Sequence, residues 1–190
     1  MKCHHLLGYN VSDFIKNLDY IPRMGPNKQL SATMLNPAFC LHNHVYQNLL
    51  KFGNLSSILF ELNPFVDKKQ IHIDLRIRNR QIIPNWPTLN IVLSGQGTMK
   101  WYRPTVEGKT KMHPTIKVLY KEWLDNYGEV IDEWTTGKIA LVRTDIPHQA
   151  YNFDSETRLL LSIRWSNYLS FEDAIEYFEN DFLSVISSAE

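Results

Sequence analysis

From Leu55 onward the chain runs in short β-branched and aromatic stretches parted by Gly, Pro and Asn, the texture of an antiparallel β domain. This pattern predicts strands near Ser57–Glu61, Gln70–Arg76, Thr88–Leu93, Thr98–Tyr102, Ile116–Tyr120, Lys138–Arg143, His148–Asn152 and Thr157–Trp165. A set of this size suits a jelly roll or a small barrel. Before it, Ser12 is placed to cap a short helix through Leu18, and Ala38–Phe52 reads as a second helix ended by Gly53, with the irregular stretch Pro22–Pro37 between them. A final helix, opened by Ser170, sets Phe171, Ile175, Phe178 and Phe182 on one face. The expected organisation is one mainly β unit with flanking helices: a helical and loop extension over 1–54, a β core over 55–165 and a C-terminal helix over 166–190.

Side-chain alternation sharpens this picture, because successive strand residues point to opposite faces and both faces need an occupant. Ile71, Ile73, Leu75 and Ile77 alternate with His72, Asp74, Arg76 and Arg78. Leu89, Ile91 and Leu93 oppose Thr88, Asn90 and Val92, and Leu159, Leu161, Ile163 and Trp165 oppose Arg158, Leu160, Ser162 and Arg164. A sheet with its polar face in water gives this pattern. So does a sheet that curls, with helices on the apolar face and the polar residues around a cavity. Periodicity leaves both open, and the chemistry of the polar residues must decide.

Composition narrows the classes. With 44% hydrophobic and 12% aromatic residues in 190, the chain can bury a sizeable core, as a disordered segment cannot. Twenty Lys plus Arg balance twenty Asp plus Glu, so the excess of a dedicated nucleic-acid binder is missing. The charge is unevenly spread: Leu75 to Lys121 holds nine basic residues against Glu107 alone, and six acids with no Lys or Arg follow Arg164. A solvated surface explains that asymmetry, and so does a field that draws in an anionic substrate, with Arg76, Arg78, Arg80 and Arg103 at the cavity mouth. Two cysteines, Cys3 and Cys40, are too few for a disulfide scaffold. The N-terminal residues lack the apolar run of a signal peptide, and no stretch of about 18 apolar residues occurs, so a cytoplasmic protein without membrane contact is expected.

His72 and Asp74 are two apart on a predicted strand, so their side chains project from one face with Cα atoms about 7 Å apart, close enough to converge on one ion. Alone, such a pair is a common surface feature. His148 enters a later strand behind Pro147, and Arg158 follows across the turn-like Asp154-Ser155-Glu156. Two imidazoles and one carboxylate on one side of a metal leave positions open for substrate and oxygen, as in non-haem Fe(II) oxygenases. An arginine nearby offers a planar, bidentate fork for a carboxylate.

In these residues the sequence resembles the Fe(II)- and 2-oxoglutarate-dependent oxygenase superfamily, whose double-stranded β-helix carries a His-x-Asp, a distal His and a later basic residue. The segments Thr88–Ser94 and Arg158–Trp165, with Trp101 and Tyr102, resemble small hydroxylase-like members, and the likeness covers roughly Leu55 to Trp165. The resemblance implies that His72, Asp74 and His148 ligate Fe(II) and are the catalytic centre. It implies 2-oxoglutarate and O2 as cosubstrates, with succinate and CO2 released and a substrate hydroxylated. Arg158 is the preferred partner for the distal carboxylate and Arg164 its rival; Ser162, Asn90 and Tyr102 are further expected contacts. The substrate stays open among small molecules, peptide side chains and nucleotides.

Other histidines fit structural roles better. His42 and His44 fall in a predicted helix, where i and i+2 do not share a face. His4 and His5 suit a frayed terminus, and His113 a basic loop at the substrate rim or no site at all. Leu93–Gly97 lacks the Lys and helix of a phosphate loop and reads as a hairpin turn. A competing reading is a cupin-type metal enzyme or isomerase, suggested by Gly137, His148 and Asn152, although Asp74 stands where a cupin motif places a second His. A metal-free β-sandwich binding module is the non-enzymatic alternative.

Overall fold

The computed structural model describes residues 1–16, 30–64, 66–67, 70–85, 87–114, 116–124, 128–135, 138–152, 155–182 and 184. Its strands are β1 (His4–Leu6), β2 (Leu30–Leu35), β3 (Leu55–Leu62), β4 (Val66–Asp67), β5 (Gln70–Arg78), β6 (Gln81–Pro84) and β7 (Thr88–Ser94). They continue with β8 (Thr98–Arg103), β9 (Lys109–Met112), β10 (Leu119–Leu124), β11 (Glu129–Thr135), β12 (Ile139–Val142), β13 (His148–Asn152) and β14 (Arg158–Trp165). The helices are α1 (Val11–Phe14), α2 (Pro37–Cys40), α3 (Asn43–Leu49) and α4 (Phe171–Glu176).

Two antiparallel sheets face each other. One runs in the order β1, β12, β7, β14, β3, β2; the other runs β11, β8, β13, β5, β10, β9, with β4 on β13 and β6 on β5. Within them, β12, β7, β14 and β3 oppose β11, β8, β13 and β5, which is the strand order of a double-stranded β-helix. The flanking strands are additions. β1 and β2 carry the first sheet outward, so the segment before residue 55 supplies strands as well as helices, and the β9–β10 hairpin widens the second sheet beyond β5.

Every residue of β14 is buried, because both of its faces are covered. Leu161, Ile163 and Trp165 join Leu89, Ile91 and Leu141 beneath Phe14, Val45, Leu49, Phe171, Phe178 and Phe182 from the helical segments. The opposite face, with Leu160, Ser162 and Arg164, lines an internal cavity. The curled-sheet alternative therefore holds. On β5 the apolar face is covered differently: Ile71, Ile73 and Leu75 pack with Tyr102 and Trp123 rather than under helices.

Several local expectations need correction. The helix expected over Ala38–Phe52 is divided at Leu41, which bridges to Ile15 while the His42 N–H donates to the Phe14 carbonyl, so tertiary pairing interrupts the helical ladder. The His42 and His44 rings stack at 5.6 Å as a result. The strand expected over Ile116–Tyr120 begins at Leu119, because the chain is still turning before it, with His113 N–H donating to Val118 O and Lys117 N–H to His113 O. His4 and His5 are not frayed but lie in β1, paired to β12. Ser170 caps α4 as expected, its side chain accepting from the Asp173 N–H at 3.0 Å. The helix expected from a Ser12 cap through Leu18 is instead capped at Asn10 and ends at Phe14, with Ile15 extended and bridged to Leu41. Residues 17–18, residues 22–29 of the irregular stretch, Gly137 and Asp154 lie outside the described residues.

Candidate metal centre

The centre is built on one register. In the β5–β13 ladder His148 stands directly opposite His72, which puts both imidazoles on the same inward face. Their ring centroids are 4.4 Å apart. Asp74, two residues along β5, brings Oδ1 to 4.0 Å from His72 Nε2. One ligand atom from each of His72, Asp74 and His148 lies within 4.8 Å of the others, so the three can share one ion.

Their surroundings prepare them for that role. His148 Nδ1–H donates to the Ile146 carbonyl at 2.9 Å, which leaves the Nε2 lone pair as the ligand. Burial pushes the His148 imidazole below its ordinary pKa against the pull of Asp74, favouring the neutral form that binds metal. Arg164 Nη2 donates to Asp74 Oδ2 at 2.7 Å. Two imidazole nitrogens and one carboxylate oxygen, gathered at the cavity, are a donor set able to hold a divalent first-row metal.

The cavity has a volume of about 380 Å³. His72, Asp74, Asn90, His148, Ser162 and Arg164 line it, so β5, β7, β13 and β14 all send expected site residues to one place. Asn90 Oδ1 is buried there with no hydrogen-bond donor among the described residues. Arg158 is not among the lining residues. It lies on the same face of β14 as Leu160 and Ser162, opposite Leu62, which does line the cavity. Only 2% of Arg158 is exposed, and no carboxylate neutralises it among the described residues. Its Nη1 reaches the Tyr151 carbonyl at 3.4 Å, its guanidinium sits 5.9 Å over Trp134, and Nε has no partner among the described residues. Burial pushes its pKa down to about 10.

Other expected contacts fall elsewhere. Tyr102 points to the opposite face of β8, because Met99 takes the cavity side; its hydroxyl bonds Gln149 and Tyr151. Arg76 Nη1 donates to the carbonyls of Trp165 and Ser166. Arg78 and Arg80 are exposed on the β5–β6 hairpin, and Arg103 pairs with Glu129 on the surface. None of these four arginines lines the cavity. The sequence reading misses Thr144, Tyr120, Pro114, Ile116 and Val118, which do, and His113, expected at the substrate rim or at no site, lines the cavity as well. Tyr120 sits opposite Asp74 in the β5–β10 ladder, a pairing that the sequence offers no means to see.

No protein-family model matches this sequence, and no curated protein matches it. Among solved structures, oxalate decarboxylase from Bacillus subtilis aligns at 12% identity over 75% of this chain, with a TM-score of 0.36. A point variant of the same enzyme gives 12% over 80%, with a TM-score of 0.37. This chain spans only 27% and 29% of those two chains. Peruvianin-I, a cysteine peptidase from Thevetia peruviana latex, aligns at 13% identity over 82% of this chain and 73% of its own, with a TM-score of 0.39. Likenesses of this strength assign no chemistry. What the fold and site define is a double-stranded β-helix with a His-Asp-His cluster able to hold a metal.

Proposed function

We propose that this protein is an Fe(II)- and 2-oxoglutarate-dependent oxygenase that hydroxylates a substrate and releases succinate and CO2. The observation that carries the reading is the convergence of His72, Asp74 and His148 within 4.8 Å at an internal cavity. The metal, when bound, would supply O2 activation; the protein supplies geometry and exclusion of water. His72 and His148 would give nitrogen ligands and Asp74 Oδ1 the oxygen. Arg158, a buried guanidinium with no counter-charge among the described residues, is suited to the distal carboxylate of 2-oxoglutarate, since an uncompensated buried charge is costly and an arriving anion relieves it. Ser162 and Asn90 offer further polar contacts within the cavity.

A cupin-type metal enzyme that does not use 2-oxoglutarate is the second reading. It is favoured by the position of Arg158 outside the cavity lining and by the engagement of Arg164 with Asp74. Anaerobic titration with Fe(II) and 2-oxoglutarate separates the two. The first reading expects a visible metal-to-ligand charge-transfer band, abolished in His72→Ala and His148→Ala, with Arg158→Ala needing more 2-oxoglutarate to reach it. Metal binding without that band selects the cupin reading, and no metal binding at all leaves a binding module.

A further inference from the structure

The outer wall of the cavity comes from one element, the β9–β10 hairpin with its turn, which contributes His113, Pro114, Ile116, Val118 and Tyr120. The turn has a defined shape: His113 N–H reaches Val118 O at 2.8 Å, Lys117 N–H reaches His113 O at 3.0 Å, and Lys117 adopts φ 55. Its apolar residues line the cavity while Lys117 is exposed. Tyr120 brings its ring edge-on to His72 at 6.3 Å. Deeper in, Phe60, Leu62, Met99 and Leu160 extend the apolar lining.

Charge points the same way. Among the described residues Arg164 is the sole Lys or Arg in the lining, and it is already paired with Asp74. The arginines expected to attract an anion are engaged by backbone carbonyls, exposed on a hairpin or paired with Glu129. A carboxylate or phosphate pressed against Pro114, Ile116 and Val118 would lose its hydration without a counter-charge, whereas a hydrocarbon group gains by leaving water for that surface.

Resting on the reading of this cavity as a metal-dependent active site, we propose that the part of the substrate held against the metal is an uncharged hydrocarbon group, an aliphatic or aromatic side chain. The β9–β10 turn selects it. The anionic-substrate expectation is thereby replaced for the reacting group.

Paramagnetic NMR with Mn(II) in the site tests this without knowledge of the natural substrate. The probes are N-acetyl-leucinamide and N-acetyl-phenylalaninamide against N-acetyl-aspartate amide and inorganic phosphate. The expected result is selective relaxation of the leucine methyl and phenylalanine ring protons. In the double variant Ile116→Asp, Val118→Asp that affinity should fall about tenfold or more, the loss of a few buried methyl groups, with Mn(II) affinity reporting an intact centre. With the open positions on the metal filled by saturating 2-oxoglutarate, equal or stronger relaxation of the anionic probes, no relaxation of the apolar ones, or an unchanged double variant would overturn the proposal. Failure of Mn(II) to bind removes the metalloenzyme reading itself, and the proposal with it.

Discussion

Asp74 divides its oxygens between two duties. Oδ1 faces His72 Nε2, while Oδ2 accepts from Arg164 at 2.7 Å, an arrangement that favours one-oxygen binding to a metal. Arg164 is thus placed to act through Asp74. Arg164→Met is expected to weaken Fe(II) or Mn(II) affinity about 10- to 100-fold, as loss of a ligand's supporting partner does, with Arg164→Lys recovering part of it in anaerobic calorimetry. If instead Arg164→Met leaves metal affinity intact and raises only the 2-oxoglutarate requirement, the roles of Arg158 and Arg164 are reversed. At this scale the sequence is informative about residue types and poor about partners. His-x-Asp on a strand and a distal His declare their chemistry by spacing, but nothing local to Arg164 reveals that Asp74, ninety positions away, occupies it. Tyr102 eludes the sequence for a related reason: alternation fixes which residues share a face, and only packing decides which face is inside.

Strands with covered faces are the legible elements. β14, β7 and β5 carry a strong alternation because each opposes two different environments, and their boundaries follow it closely. The β9 strand is exposed at all four positions and β11 at both of its ends, so neither shows a hydrophobic rhythm, and both exist through pairing with β10 and β8. One element-scale constraint reaches the site. At the β7–β8 turn a Cβ on Gly97 would stand 2.5 Å from the Tyr151 carbonyl oxygen and 2.8 Å from Arg158 Nη1. The turn is legible in the sequence; its service as clearance for a buried guanidinium is not. On the oxygenase reading, Gly97→Ala should therefore displace Arg158 and raise the 2-oxoglutarate concentration needed for the charge-transfer band about tenfold, a cost within the range of overpacking, while Fe(II) affinity stays close to that of the parent. Loss of metal binding in that variant would mean that the turn supports the whole roll instead.

Across the whole molecule, residues far apart in the chain tie its first strand to the rest. Cys3 N–H donates to Asp132 Oδ2, His4 Nδ1 contacts the same oxygen at 3.0 Å, His5 pairs with Glu179 at 2.9 Å, and the Tyr9 hydroxyl donates to the Phe178 carbonyl. Burial pushes the Tyr9 phenol from 10.0 to about 12. Above pH 10 the unfolded chain therefore gives up a proton that the folded one keeps, so stability is complete below that point and declines as pH rises towards 12. Urea midpoints measured across this window should fall with pH, and less steeply in Tyr9→Phe; Tyr177, also pushed up to about 12, supplies a share of the remaining slope. An identical slope in the variant would exclude Tyr9 as a source. The pairing of His148 with His72 has a temporal consequence of its own. One imidazole is synthesised well before the other, so a growing polypeptide on the ribosome can display the first without the second. A metal ion would then find its complete seat only after β13 has emerged, when most of the surrounding walls have been made.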